Sequence, residues 1–275
     1  MTDELFYVYA VLRSAAPPCA PPALDQRAPL GRGLQLVEHR GLTAVVEPVE
    51  AADFDEEPLR AHLEDLDWLA DVARAHHGVV AHVGRQTTTV PLRLATLCRG
   101  RSGVERMLAD AHQTLGDALE RVTDAEEWGV KLYAQAAPVA PTDPAGSPTT
   151  RSGPVAAPGA ASGRDYLRRR LADRRAQTDL TGQARSTAEA LHERLAHEAS
   201  GAVLHPPQQQ QLSQVPGQNV LNAAYLVPTA RRRAFLETVP AADDLPSGVR
   251  VEVTGPWVPY SFTHTTAPTP SAEPT

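Results

Sequence analysis

Near its start the chain reads Leu5-Phe-Tyr-Val-Tyr-Ala-Val-Leu12, a run rich in aromatic and β-branched residues. Such a run, followed here by proline-rich sequence, predicts a buried β-strand. Further along, residues 34–39 and 42–46 flank the pair Arg40-Gly41. Because glycine readily adopts the backbone conformation of a tight turn, these two segments predict a β-hairpin.

Two longer segments have the periodicity of helices. Apolar residues recur at steps of three and four over residues 58–83, which predicts an amphipathic helix, whole or in two pieces around Gly78. Residues 104–122 predict a second helix in the same way. Short strands are expected at residues 87–92 and 128–134. This order of elements favours helices packed on one face of a mainly antiparallel sheet, a ferredoxin-like α+β domain over residues 1–135.

The composition changes abruptly after this domain. Of the 28 residues in 136–163, 24 are Ala, Pro, Gly, Ser or Thr, so this segment has little side-chain area to bury. We interpret it as a flexible Pro/Ala/Gly-rich linker. Residues 263–275 have the same character and predict a disordered tail.

A second α+β domain is expected over residues 164–262. Its first element is a long helix at 166–200, with arginines crowded on one side. The predicted apolar stripe of this helix comprises Leu167, Leu171, Ala184, Ala188, Leu191 and Leu195. Strands are expected at residues 208–215, 219–227 and 249–254, with a short helix at 229–239. The chain as a whole is therefore predicted to be a two-domain α+β protein.

Charge and composition exclude some classes of function. The net charge of the 275 residues is −7, whereas a dedicated nucleic-acid binder usually has a basic surplus. Residues 1–135 hold 13 basic and 21 acidic side chains, and residues 164–275 hold 12 and 11. No segment approaches the roughly 18 apolar residues of a membrane span. The two cysteines form no disulfide framework, so a cytoplasmic, reducing location is expected.

Candidate catalytic and metal-binding residues do not form a recognisable pattern. Four histidines lie close in sequence, at positions 62, 76, 77 and 82, but their spacing is not that of a helical pair of metal ligands. No phosphate-binding loop and no nucleophile motif is present. We therefore expect no catalytic residue, no metal and no other cofactor, and a protein that is not an enzyme.

Arginines cluster at residues 168–175 and 231–233, but no aromatic residues alternate with them as a base-stacking surface would require. A solvated helix face, or a surface for an acidic protein partner, fits this pattern better. Arg168 and Arg169 are therefore candidate partner-binding residues.

The segment Thr254-Gly-Pro-Trp-Val-Pro-Tyr-Ser-Phe262 is unusually aromatic for a chain with only 5% aromatic residues. Its prolines fix an extended path for the backbone. The candidate partner-binding residues are Trp257, Pro259, Tyr260 and Phe262, since large apolar side chains are enriched at protein interfaces. The same side chains could instead cover the core of the second domain, and the sequence leaves both alternatives open.

This segment also carries a resemblance. Gly255-Pro-Trp-Val-Pro-Tyr-Ser-Phe262 resembles the terminal signature of the gas vesicle protein family F/L. Other segments resemble the family in the expected order: Tyr7-Val-Tyr9, Pro91-Leu-Arg-Leu-Ala-Thr96, Glu127-Trp-Gly-Val-Lys-Leu-Tyr133, Arg164-Asp-Tyr-Leu-Arg168 and Asn222-Ala-Ala-Tyr-Leu-Val227. The chain departs from the family at Val258, where proline is expected, and at His77, where asparagine is usual.

The resemblance implies an accessory or minor structural protein of gas vesicle assembly, of either the F or the L type. Its implied partners are the major gas vesicle shell protein and other gas vesicle accessory proteins, with no nucleic acid and no membrane. Its implied location is the gas vesicle or the cytoplasm. Two alternatives remain open from the residues themselves: a ligand-binding or enzymatic α+β protein, and a nucleic-acid-associated regulator that uses the arginine-rich helix.

Overall fold

A computed structural model of the chain describes residues 4–14, 30–31, 33–135, 163–207 and 217–263. The expected linker lies outside these ranges apart from Gly163, and the expected tail lies outside them apart from Thr263. The strand expected at residues 208–215 also lies outside them.

The first sheet is antiparallel and has β1 at its centre. Its strands are β1 (Leu5–Arg13), β2 (Gln35–His39), β3 (Leu42–Val49), β4 (Thr89–Pro91) and β5 (Leu97–Arg99). β1 pairs with β3, β4 and β5, and β2 pairs with β3. The predicted first strand and hairpin are confirmed. Arg40 and Gly41 both have positive φ, 48° and 80°, as a two-residue hairpin turn requires.

Five helices accompany this sheet: α1 (Ala51–Phe54), α2 (Glu56–His62), α3 (Leu66–Gly84), α4 (Gly100–Asp110) and α5 (His112–Val122). The helix predicted at 58–83 is interrupted at residues 63–65 and not at Gly78. The reason is Asp65, whose side chain accepts hydrogen bonds from the backbone N–H groups of Asp67 and Trp68 and so caps a new helix.

The helices cover both faces of the first sheet, so the expectation of a single covered face is wrong. Tyr7 and Tyr9 point into a cluster formed with α1 and α3. Phe6 and Val8 point into a second cluster formed with α4 and α5. A register shift between Val8 and Ala10 interrupts the alternation. Because every residue from Leu5 to Leu12 is buried, neither face of β1 is available to solvent.

The second sheet contains β6 (Ala125–Ala134), β7 (Gly201–Leu204), β8 (Gln218–Pro228) and β9 (Val249–Trp257), in the order β7-β8-β6-β9. Its helices are α6 (Gly163–Glu198) and α7 (Arg232–Thr238). The sequence pattern predicts β6 as the last strand of the first domain, but β6 lies between β8 and β9 and pairs antiparallel with both. The expected boundary at residue 135 therefore does not coincide with the boundary between the sheets.

Only part of the apolar stripe predicted on the long helix α6 is buried. Ala184, Ala188, Leu191 and Leu195 are buried against one face of the second sheet. Leu167 and Leu171 are instead 58% and 56% exposed. A helix of 36 residues is about 54 Å long, whereas the 11-residue strand β8 spans about 36 Å, so the helix is longer than the sheet that it covers.

The two sheets share one hydrophobic core. Ala224 and Leu226 point from the other face of β8 into the cluster that contains Phe6, α4 and α5, and Phe262 joins them there. The arrangement confirms the α+β fold class and places the end of β9 and the segment after it beside both sheets.

Candidate functional site

The segment after β9, residues 258–263, contacts elements from both sheets, and we call it the C-terminal clasp. Val258 and Tyr260 pack on the cluster of α1 and α3, while Phe262 packs in the core that the sheets share. The Phe262 carbonyl accepts a hydrogen bond of 3.0 Å from the Arg121 guanidinium on α5. The clasp therefore links the first-sheet helices to the second sheet.

Gly84, the last residue of α3, makes room for the clasp. A Cβ atom at this position would lie 2.4 Å from Cγ2 of Val258, well inside van der Waals contact. Tyr260 follows Val258 by two residues. The centroid of its ring lies 6.3 Å from that of His77 and 6.4 Å from that of His76. The end of α3 is thus shaped to receive the clasp.

A buried carboxylate on β6 fixes the middle of the clasp. Glu127 accepts a hydrogen bond of 2.8 Å from the Ser261 backbone N–H and one of 2.7 Å from its hydroxyl. The Ser261 oxygen is then left to accept from Nε2 of His205, 3.3 Å away. Burial raises the pKa of Glu127, an effect that the two hydrogen bonds from Ser261 partly offset.

This cluster does not have the arrangement of a hydrolytic triad. A serine nucleophile gives its proton to histidine, and a carboxylate orients that histidine. Here the Ser261 hydroxyl donates to Glu127 directly, which leaves His205 at the far end. The arrangement anchors the chain and does not activate the serine.

A second buried polar pair lies beneath the clasp. The Tyr7 hydroxyl accepts a hydrogen bond from the Ala95 backbone N–H and forms a second hydrogen bond of 3.0 Å with Nδ1 of His76. Burial lowers the pKa of His76 to about 4, so the imidazole is neutral near pH 7.

Beside the clasp, a groove of about 660 Å³ runs between the end of α3 and the start of β6. Trp257, the last residue of β9, is 44% exposed there, and its ring meets that of His77 edge-on at 5.6 Å. Apolar side chains of the groove include Ala81, Val122, Ala125, Pro256, Val258 and Pro259. Its charged side chains are Arg85, Asp124 and Glu126. Uncharged polar residues line it as well, among them Gln86, Thr89 and Thr229. The groove thus combines apolar, polar and charged side chains with an exposed aromatic one.

The predicted partner-binding residues of the terminal segment differ in burial. Trp257 lines the groove and is accessible, Pro259 is buried at its edge, and Phe262 is only 8% exposed in the shared core. Tyr260 is half-buried, and burial raises the pKa of its hydroxyl, which has no hydrogen-bond partner among the described residues. The alternative in which the aromatic segment covers a core therefore holds for Phe262, whereas partner binding by Trp257 stays a prediction.

The two arginine candidates lie elsewhere. Arg168 is exposed on α6, and the side chain of Arg169 is outside the described residues. No residue of α6 is among the described residues that line the groove. The structure brings together the candidates of the terminal segment but does not bring the arginines to them.

Sequence reasoning assigns no role beside the terminal segment to Glu127, His77 or Gly84. Glu127 has no distinct sequence signal, because β6 also contains the charged residues Glu126 and Lys131. His77 and Gly84 have none, because their roles depend on a clasp that lies far away in the chain. Within the described ranges, no group of three or more His, Cys, Asp or Glu side chains could hold a metal ion. None of the described helices is long and apolar enough to span a bilayer.

Comparison with known proteins covers nearly the whole chain. The model of the family described as gas vesicle synthesis protein GvpL/GvpF matches residues 5–264. Gas vesicle protein L of Streptomyces sp. (strain CB03234) is 47% identical over 263 residues, which are 95% of this chain and 93% of that protein.

Two crystal structures share the fold at 14% identity and a TM-score of 0.60. Gas vesicle protein GvpF from Anabaena sp. PCC7120 matches over 96% of this chain and 98% of its own. GvpF from Microcystis aeruginosa matches over 95% of this chain and 99% of its own. The family match and the 47% identity show that this chain belongs to the gas vesicle synthesis protein GvpL/GvpF family.

Proposed function

We propose that this protein is a non-enzymatic accessory or minor structural component of gas vesicle assembly that binds the major shell protein. Membership of the family supports the gas vesicle role. The observation that supports a binding site is Trp257, which lines the groove and remains 44% exposed although Pro259 and Phe262 after it are buried. A large aromatic side chain left exposed in a concave surface that mixes apolar and polar groups is typical of a partner-binding site.

The chemistry of the groove suits an apolar protein segment. Shell subunits of gas vesicles bury an apolar face in the wall, and that face promotes aggregation before assembly. A groove that offers apolar side chains and one exposed tryptophan among polar ones can cover part of such a face and release it later. In this role the protein covers the apolar face of the shell subunit until assembly.

An L-type role within the family fits best. The relative named as gas vesicle protein L is much more similar in sequence than the two GvpF proteins, which share the fold alone. We therefore propose that the protein acts as the L-type member of its gene set.

Co-expression with the major shell protein of the same organism tests the proposal. We expect the shell protein to be recovered in soluble form with the tagged wild-type chain, and much less of it with Trp257→Ala. Leu204→Ala is the matched control, since Leu204 is 62% exposed on β7 and is not among the groove residues. Equal recovery with all three chains, or none with the wild type, would refute the proposal.

A further inference from the structure

One end of α6 forms a basic surface with exposed leucines. Residues 163–179, which we call the basic arm, contain six arginines and three aspartates. Every described side chain from Leu167 to Asp179 is exposed. Leu167 and Leu171, at 58% and 56% exposure, are separated by one helical turn, about 6 Å along the axis. The basic arm thus presents an apolar pair with positive charge on both sides.

A surface of the opposite charge lies in the first half of the chain. Residues 56–67, which we call the acidic corner, span α2 and the start of α3 and contain five acids and one arginine. Leu63 and Leu66 are 44% and 77% exposed within it. Leu66 is the most exposed of the large apolar side chains in the described ranges. The acidic corner therefore also presents an apolar pair, surrounded by negative charge.

The two surfaces match each other in charge and in apolar content. We propose that the basic arm of one molecule docks on the acidic corner of a second copy of this chain. Opposite charges steer such an encounter and fix its register, while the four leucines supply the area removed from water. Both surfaces are exposed in the same structure, so the arm does not cover the corner of its own molecule.

The symmetry of this contact has a consequence for assembly. The two surfaces differ, so the contact is head-to-tail. A dimer therefore keeps an unused basic arm at one end and an unused acidic corner at the other. Association can therefore continue into a ring or a row of molecules. No residue of the arm or the corner is among the described residues that line the Trp257 groove. Self-association thus leaves that groove open, and the inference stands independently of the proposed function.

Sedimentation of the full-length protein with paired variants tests the inference. The arm variant is Arg174→Glu/Arg175→Glu, and the corner variant is Glu64→Arg/Leu66→Arg; all four side chains are exposed. We expect the average mass of the wild type to rise with protein concentration at low salt. It should fall when the salt is raised from about 0.05 M to about 0.5 M, where exposed charges are screened.

We expect each variant alone to be monomeric, with self-association weakened roughly tenfold or more. An equimolar mixture of the two variants should form dimers and nothing larger, because the mixture retains one intact arm and one intact corner per pair. Arg233→Glu, on α7 with a 90% exposed side chain, is the control and should behave as the wild type.

Three results would overturn the inference. A wild type that is monomeric at every concentration and salt would exclude self-association. A corner variant that still dimerises would indicate an arm-to-arm contact with two-fold symmetry. A mixture of the variants that stays monomeric would show that the arm and the corner do not bind each other.

Discussion

Trp257 and Phe262 come from the same nine-residue motif, but their side chains lie in different surroundings. Trp257 is 44% exposed beside the groove, and Phe262 is 8% exposed in the core shared by the sheets. The sequence predicts the aromatic cluster but cannot assign these roles, because the difference depends on which side chain faces β8 and α5. We therefore expect the two residues to separate stability from binding.

Replacing each aromatic residue by alanine should give different losses of stability. Phe262→Ala empties a packed site and should lower the free energy of unfolding by about 3–5 kcal/mol. Trp257→Ala removes a half-exposed ring and should lower it by no more than about 1 kcal/mol. Urea unfolding of the purified variants measures both values. Equal losses for the two variants would contradict the division between core and binding roles.

The carboxyl of Glu127 should make stability depend on pH. Because burial raises its pKa above the usual value of 4.5, the folded state binds its proton more tightly than the unfolded chain does. The free energy of unfolding should therefore fall as the pH rises from about 4.5 through the raised pKa, and then remain level. Glu127→Gln has no such titration, so the stability of the wild type relative to this variant should decrease over that window.

Unfolding in denaturant at a series of pH values measures this difference. Subtracting the variant removes the contribution of other titrating groups, including His76, whose pKa is lowered to about 4. A difference that does not change with pH, or that grows as the pH rises, would show that the Glu127 carboxyl is not destabilised in its ionised form.

At the scale of elements, α3 offers a matched pair of glycines. Gly84→Ala puts a Cβ atom 2.4 Å from Val258 Cγ2, whereas a Cβ at Gly78 meets nothing within 4 Å. We expect Gly84→Ala to destabilise the protein by about 1–3 kcal/mol through displacement of the clasp. Gly78→Ala should stabilise the helix by up to about 1 kcal/mol, since alanine is the better helix former.

Thermal unfolding of both variants checks this prediction, and the double variant Gly84→Ala/Val258→Ala supplies a further control. Removing the Val258 methyl groups should recover part of the stability that Gly84→Ala loses, which a double-mutant cycle measures. If Gly84→Ala and Gly78→Ala have the same effect, then the clasp does not rest on the end of α3.

Local sequence patterns predict the elements with clear local causes. β1, the hairpin at Arg40-Gly41 and the helix α6 all appear where apolar runs, turn residues and periodicity place them. The break before α3 was misplaced because a capping side chain at Asp65 outweighs the glycine at residue 78. The predicted place of β6 in the first domain is wrong for another reason. Which strand pairs with which depends on long-range contacts that local patterns do not encode.

At the scale of the whole molecule, the second sheet combines segments from before and after residues 136–162. β6 pairs along its length with β8 and also with β9. A cut inside residues 136–162, made at an introduced protease site, should therefore leave the two pieces bound to each other under native conditions. The pieces should elute together in gel filtration and separate only in denaturant. Separation without denaturant would contradict the pairing of β6.

The proposed function rests on the claim that the Trp257 groove contacts the major shell protein. Site-specific crosslinking tests this claim directly, with a photoreactive phenylalanine analogue placed at residue 257 and, in a control chain, at the exposed residue 204. During co-expression with the shell protein, we expect a covalent adduct from position 257 and little or none from position 204. An adduct from position 204 alone, or equal adducts from both positions, would contradict the claim that this groove is the binding site.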